Sequence, residues 1–299
     1  MSTVTKKRPA DSTGEKLADG EFNFTRRDFN SIAAMIYDDA GIALNETKTS
    51  LVYSRLTKRI RQLGLADFRA YCDLVASDKG RAERREMLSM LTTNFTRFFR
   101  ENHHFEHLRN DVLPGLIGRA RKGERIRLWS AGCSDGQEPY SIALTLLSAF
   151  PEVSKYDVKI LATDIDPKMI AIGQAGVYDE SAAETVPAAL KKQWFSKVDS
   201  PRGKRCMVDD RLKRLITFRE LNLHGTWPFR GPFQVIFCRN VVIYFDDVTQ
   251  SHIWTRFAAM LEDQGHFFIG HSERVTGPAK DQFDNIGVTT YRLKGTQPR

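Results

Sequence analysis

Five short apolar runs dominate the chain after Arg125: IRLWSAGC, VKILATDID, ITFRELNL, FQVIFCRN and GHFFIGHS. Stretches with a helical hydrophobic period follow several of them, at Glu138 to Phe150, Pro167 to Gly176 and Asp247 to Glu262. Strands alternating with helices in this way require a largely parallel sheet covered on both faces, an α/β doubly wound, Rossmann-like arrangement. One interval breaks the rhythm. Between Gly176 and Ile216 lie about forty residues, far more than a plain crossover needs. They read as a small inserted β-subdomain at about 177–215, or as a long loop plus one helix.

Ahead of the sheet the period is helical throughout. Phe29, Ile32, Ala33 and Ile36 recur at helix spacing, then Val52, Leu56, Ile60 and Leu63, then Phe68, Tyr71, Cys72 and Val75, then Met87, Met90 and Leu91. Gly41, Gly64 and Gly80 follow three of these stretches, where a left-handed C-cap is wanted. The expected organisation is a disordered tail over 1–22, an all-α domain over 23–94, a linker segment with a helix over 95–125, and the sheet domain over 126–299.

Composition narrows the setting. With 41% hydrophobic and 27% charged residues in 299, a core can be buried and wholesale disorder is excluded. No apolar run approaches the ~18 residues of a membrane span, and the first twenty residues contain no apolar stretch of the secretory kind. Cys72, Cys133, Cys206 and Cys238 are widely spaced, with no CxxC. These features lead to the expectation of a cytoplasmic protein without membrane insertion. The formal charge of +8 favours an anionic partner.

Four segments could carry chemistry. In WSAGCSDGQEPY, Gly132 and Gly136 allow a tight turn between strand and helix, and Glu138 stands at the helix start. A carboxylate there would repel a pyrophosphate and suit a ligand with a cationic amino group. In ILATDID, Asp164 follows an apolar strand, where doubly wound folds place a carboxylate on ribose hydroxyls. Asp166 reads as the cap of the helix that begins at Pro167, a role Asp164 could fill less well. Together these two segments argue for a nucleoside without a pyrophosphate, and S-adenosylmethionine fits. In FQVIFCRNVVIYF, Arg239 and Asn240 end a buried strand and Tyr244 follows; a turn cap and a core ring are the plainer reading. In LTTNFTRFFR, Asn94, Thr96 and Arg100 are polar among Phe95, Phe98 and Phe99, as in a ligand site or an aromatic hinge.

The blocks LTTNFTRFFRENHHFE, RLWSAGCSDGQEPYSIALTL, LATDIDPKMI, LNLHGTWPFRGPFQVIFCRNVVIYF and GHSE resemble, in order and in register, the CheR-type chemoreceptor glutamate methyltransferases. The resemblance spans about Phe29 to Leu293. It implies S-adenosylmethionine as methyl donor, S-adenosylhomocysteine as product, no metal, and receptor glutamates as acceptors. By position it implies cofactor contacts at Asn94, Thr96, Arg100, Glu138, Asp164, Asn222, Leu223, Arg239 and Asn240, beside Gly132, with Arg100 and Tyr244 as the catalytic pair. The insertion, SKVDSPRGKRCMV, lacks the closely spaced glycines of members that grip a receptor-tail peptide.

A glutamate carboxylate, with a reference pKa near ~4.3, is already a nucleophile at neutral pH. No general base is then required, which fits the absence of histidine from the four segments WSAGCSDGQEPY, ILATDID, FQVIFCRNVVIYF and LTTNFTRFFR. His103 and His107 share a helix face, but no further ligand stands nearby and a metal is not expected. The helix from Lys48 to Leu63 carries Arg55, Lys58 and Arg59 with no acid, which reads as a solvated face or as a docking surface for the cytoplasmic helical domain of a receptor. A nucleic-acid methyltransferase and a non-catalytic docking module are the competing readings. The first lacks any nucleic-acid recognition motif, and the second would not need Arg100 and Tyr244. A monomer acting on protein, not nucleic acid, is expected.

Overall fold

The structure is a computed structural model that describes residues 14–18, 20–199 and 203–295. The chain divides into two compact units between Thr93 and Asn94. The first unit holds helices α1 (Arg26–Ala40), α2 (Thr49–Gln62), α3 (Phe68–Ala76) and α4 (Arg81–Leu91). Their apolar stripes are largely the predicted ones: Phe29, Ile32, Ile36, Val52, Leu56, Ile60, Phe68, Tyr71, Val75 and Met87 are all buried, whereas Leu63, expected in the same stripe as Ile60, is exposed at the C-cap of α2. Thr25 caps α1 through a reciprocal bond with Asp28. Gly41 and Gly64 are left-handed as expected, at φ 71° and 66°. Gly80 is not. It has φ −88° at the start of α4, and a Cβ there would lie 1.9 Å from the Leu74 carbonyl oxygen, so close approach and not a C-cap demands glycine.

The stretch expected to be tail differs over its described part. Strand β1 (Lys16–Ala18) pairs antiparallel with β2 (Phe24–Thr25), and the Arg26 side chain is held by Glu15 and Glu46. The tail expected over 1–13 lies outside the described residues.

The second unit is built on a seven-stranded sheet, whose strands β3 (Ile126–Ala131), β4 (Val158–Asp164), β8 (Ile216–Glu220), β9 (Phe233–Cys238) and β10 (Leu261–Ile269) are mutually parallel. A terminal hairpin of β11 (Phe283–Gly287) and β12 (Thr290–Leu293), unanticipated from the sequence, extends one edge antiparallel. The spatial order is β11-β12-β10-β9-β3-β4-β8. Strand order therefore reverses between β3 and β9, and open sheets bind ligands outside the carboxyl ends at such a point. Helices α7 (Gln137–Ala149), α8 (Pro167–Ala175) and α11 (Asp247–Met260) are the crossovers. The interval after α8 contains β5 (Val177–Asp179), α9 (Ala188–Trp194), β6 (Phe195–Val198) and β7 (Arg205–Val208). The three strands form a small antiparallel sheet in the order β5-β7-β6, before a single turn of helix, α10 (Asp210–Lys213).

The segment expected to be a linker is instead part of the sheet unit's core. Phe98, Phe105, Leu108, Val112, Leu113 and Leu116 join one buried cluster with Leu128, Tyr140, Ile142 and Phe237. It runs as α5 (His103–His107), a π-turn over Leu108–Val112, and α6 (Leu113–Arg121). Among the described residues no helix is long and apolar enough to cross a membrane.

Candidate active site

The parallel strands deliver the candidate residues to one edge of the sheet. After β3, Gly132 turns with φ 76° and donates its N–H to the Thr163 carbonyl (2.8 Å). A Cβ on Gly132 would lie 2.3 Å from Val241 Cγ2, so only glycine lets this loop pass the loop after β9. Ser134 donates its backbone N–H to Asp164 Oδ2 (2.7 Å) and its hydroxyl to the Asn94 carbonyl (2.7 Å). Asp164, at the end of β4 and 7% exposed, also accepts from the Asp166 N–H (3.0 Å). Burial pushes its carboxyl up to about 6, against the pull of those two amides. Asp166 caps α8 through the Lys168 N–H, as expected, and accepts from Asn94 Nδ2 (3.1 Å). Asn94 and the loops after β3 and β4 thus form one hydrogen-bonded unit.

Past β8, the Leu221 N–H bonds to the Asp164 carbonyl (2.9 Å), which sets Asn222 and Leu223 beside that unit. Asn222 Oδ1 accepts the His224 N–H, and the buried Leu223 accepts through its carbonyl from Trp227 Nε1 and Arg256 Nη1.

Charge concentrates between α7 and the end of β9. Glu138, 8% exposed, accepts from Ser130 Oγ (2.7 Å) and Arg239 Nη1 (3.2 Å). Burial raises its carboxyl above the ordinary range, more than Arg239 and Ser130 lower it. Arg239, 6% exposed, also donates through Nη2 to the Arg100 carbonyl oxygen and lies 3.4 Å from Glu101 Oε2. Burial pushes the Glu101 carboxyl up, but Arg239 and His271 outweigh it and the net direction is down. Arg239 therefore joins Glu138 to the turn that carries Arg100. That turn is strained: Phe99 and Glu101, on either side of Arg100, have φ 52° and 55°. Of six non-glycine residues in the left-handed region among those described, these two, Ser134 and Asn240 lie on the segments assembled here.

Arg100 is half-buried and donates Nη1 to the Phe95 carbonyl (3.0 Å). Thr96 is half-buried on the same segment. Tyr244, also half-buried, ends a short 3-10 turn, Val242–Tyr244, on the loop that Asn240 begins. Three buried polar atoms here lack hydrogen-bond partners, Glu101 Oε2, Arg239 Nε and Asn240 Oδ1. Orphaned groups at the carboxyl edge of a switch point are the condition expected where a polar ligand completes the site. These residues fit a donor that carries a ribose and a zwitterionic end.

Sequence reasoning missed Ser134, Glu101 and Glu273. Glu273, which closes the GHSE block, gathers the backbone N–H groups of the Asn240 loop; its position just past a strand end was the available signal. The histidines diverge. His104 is buried with Nε2 against Thr289 Oγ1 (2.9 Å) and is pushed down to about 3 by burial, whereas His103 is exposed.

The basic helix of the first unit is less free than its composition suggests. Arg55 donates to the carbonyls of Met90 (2.9 Å) and Thr92 (2.7 Å), satisfying the end of α4. Arg59 makes a two-pronged pair with Glu83, which Tyr71 also contacts. Lys58 alone of the three is exposed.

A family profile described as "CheR methyltransferase, SAM binding domain" matches residues 94–292, and one described as "CheR methyltransferase, all-alpha domain" matches 27–92. The chain belongs to the CheR methyltransferase family. Among CheR relatives, a "Probable chemotaxis protein methyltransferase" of Rhizobium etli is 69% identical, over 86% of this chain and 96% of its own. "Chemotaxis protein methyltransferase 2" of Pseudomonas aeruginosa is 39% identical, over 95% of this chain and 99% of its own. The "Chemotaxis protein methyltransferase" of Escherichia coli is 37% identical, over 93% of each.

Proposed function

We propose that this CheR protein transfers the methyl group of S-adenosylmethionine to side-chain carboxylates of glutamates in chemoreceptors, with Arg100 and Tyr244 orienting the acceptor. The observation that carries this reading is the Glu138–Arg239 pair at the switch point, joined through the Arg100 carbonyl to the turn that presents Arg100. The pair offers both signs of charge, as the zwitterionic end of the donor requires. Asp164 offers a carboxylate to the ribose. Asn94, Thr96, Asn222, Leu223 and Asn240 would complete the donor's surroundings.

The bound donor supplies a methyl group on a positively charged sulfur. The protein's part is alignment and exclusion of water, since the glutamate carboxylate needs no base. Alignment alone can contribute roughly 7–11 kcal/mol. The Arg100 guanidinium can hold the acceptor carboxylate through a planar fork of donors, and the Tyr244 hydroxyl can donate to the same group. Incubating the chain with radiolabelled S-adenosylmethionine and a receptor should give label that base releases as methanol. Label that survives base, or that enters nucleic acid instead, would rule out a glutamate ester.

The Asp164 role has its own test. Asp164→Ala removes any ribose contact and leaves the Ser134 and Asp166 N–H groups without their acceptor. Affinity for S-adenosylhomocysteine should fall by about 1–3 kcal/mol in calorimetry. An unchanged affinity in the folded variant would remove Asp164 from the donor site.

Receptor docking on α2 is proposed in a form altered by the pairing of its arginines. Glu83 neutralises Arg59, whereas Arg55 bonds only neutral oxygens and keeps its charge in the field, beside Lys58. Lys58→Glu is expected to raise the Michaelis constant for receptor several-fold at low salt, with little effect near 1 M salt, where the Debye length is about 3 Å. Equal kinetics at low salt would leave this helix a solvated face.

A further inference from the structure

The loop after β9 carries Arg239, Asn240 and Tyr244; its last N–H groups, of Tyr244 and Phe245, bond back to the carbonyls of Val241 and Val242, but its first ones find no partner inside it. Its 3-10 turn, Val242–Tyr244, has no side-chain cap, and the first N–H groups of such a turn have no partner inside it. Those groups converge on one carboxylate from another strand end. Glu273 Oε1 accepts from the N–H groups of Val241 (3.0 Å), Val242 (2.8 Å) and Ile243 (3.4 Å). Its Oε2 accepts from Asn240 (3.0 Å) and from Gly270 of its own turn (2.6 Å). Glu273 is 4% exposed. The fit around it is close: a Cβ on Gly270 would lie 2.5 Å from Asn240 Nδ2 and 2.6 Å from its backbone nitrogen. The same turn reaches the other side of the site, where His271 Nδ1 lies 3.2 Å from Glu101 Oε1, beside Arg100.

We propose that Glu273 is a positioning residue for methyl transfer: by collecting four consecutive backbone N–H groups, its carboxylate sets where Asn240 and Tyr244 stand. It acts through that loop and not on the reacting atoms. This rests on the roles given above to Asn240 and Tyr244. Shape alone cannot replace the carboxylate. A glutamine has one acceptor oxygen in place of two, and its amide group would point N–H donors at N–H donors. Asn240 is held at φ 59°, a left-handed conformation that asparagine adopts more readily than most side chains but that still costs more than the ordinary regions, so the loop has an alternative to relax into once the carboxylate is gone.

The test combines hydrogen exchange with kinetics on the full chain. In the unmodified protein, the amides of Val241 and Val242 should exchange slowly despite lying outside the sheet. In Glu273→Gln they should exchange about tenfold faster or more, while the core strands keep their protection. With the thermal transition retained, the maximal rate at saturating S-adenosylmethionine and receptor should fall about 100-fold, the scale of a misplaced catalytic group. Glu273→Asp keeps both acceptor oxygens on a shorter stem and should recover part of that loss, which a contact needed for folding alone would not produce. Fast exchange of these amides in the unmodified protein overturns the proposal, as does a Glu273→Gln variant with the normal maximal rate. Should Glu273→Gln fail to fold, the exchange of the unmodified protein and the rate of Glu273→Asp decide in the same way. Asn240→Ala and Tyr244→Phe separate the two levels. If both keep full activity, the loop's role in the reaction fails; if both lose it and Glu273→Gln does not, only the positioning role fails.

Discussion

Tyr244→Phe is expected to fold normally and to transfer methyl groups about 10- to 100-fold more slowly, with the loss in the maximal rate. The magnitude follows from alignment: the acceptor carboxylate loses negative charge as its oxygen takes the methyl group, so the Tyr244 hydroxyl serves by placing that oxygen, and a small misplacement can cost about 100-fold. The substitution keeps the half-buried ring and removes only the hydroxyl, so the melting temperature should barely move. Arg100→Lys is the companion. It keeps the charge, loses the planar fork, and gives up the bond from Nη1 to the Phe95 carbonyl. Its loss in rate should exceed that of Tyr244→Phe. It should also weaken donor binding more, because the lost Nη1 bond helps hold the turn whose residue-100 carbonyl accepts from Arg239, the partner of Glu138. Steady-state kinetics with receptor, and calorimetry with S-adenosylhomocysteine, measure the two effects separately. A Tyr244→Phe enzyme with the normal rate would leave orientation to Arg100 alone.

What could be read from the chain follows from the range of the interactions concerned. Helices α1 to α4 and the five parallel strands show a period within a single window of residues, and they appear where that period puts them. So do the carboxyl-edge positions of Asp164 and Arg239, which need only a strand and its direction. The hairpin of β11 and β12 was not legible, because these two short strands mix Asp284, Asn285 and Arg292 among a few apolar residues and give no unbroken apolar run. The segment 95–125 reads as a linker by composition, yet Phe98, Phe105 and Leu108 bury themselves against residues far along the chain. Pairing is the least legible of all. Arg59 gives no sign in sequence of its bond to Glu83, nor Glu273 of the loop it gathers, because each partner is brought by the fold. The basic face of α2 was therefore overcounted and Glu273 overlooked for one and the same reason.

The pairing of Glu138 with Arg239 sets the second large effect, Arg239→Met. This substitution fills much of the arginine's volume but leaves the Glu138 carboxylate buried with only Ser130 Oγ as donor. Breaking a buried pair from one side costs about 3–5 kcal/mol, because the remaining charge stays uncompensated. Burial already holds the Glu138 carboxyl above its usual range even with Arg239 present, and removing the guanidinium takes away the largest opposing influence. The folded variant should therefore hold the Glu138 proton to higher pH than the unfolded chain does. A carboxyl raised on folding favours the native state while protonated and withdraws that support as pH climbs from its unfolded value through its folded one. The melting temperature of Arg239→Met should accordingly fall, relative to the unmodified protein, as pH rises from about 4.5 toward neutrality. Donor binding should be lost over the whole range. Adding Glu138→Gln removes the stranded charge, so the double variant should regain a sizeable part of the stability and flatten the pH dependence, without regaining donor affinity. Thermal unfolding of the unmodified protein, Arg239→Met, Glu138→Gln and the double variant across that pH range is the measurement. If the double variant is no more stable than Arg239→Met at neutral pH, the charge on Glu138 is not what Arg239 balances, and the loss lies with Glu101, the other carboxylate beside Arg239, or with the packing of Arg239 over Phe105.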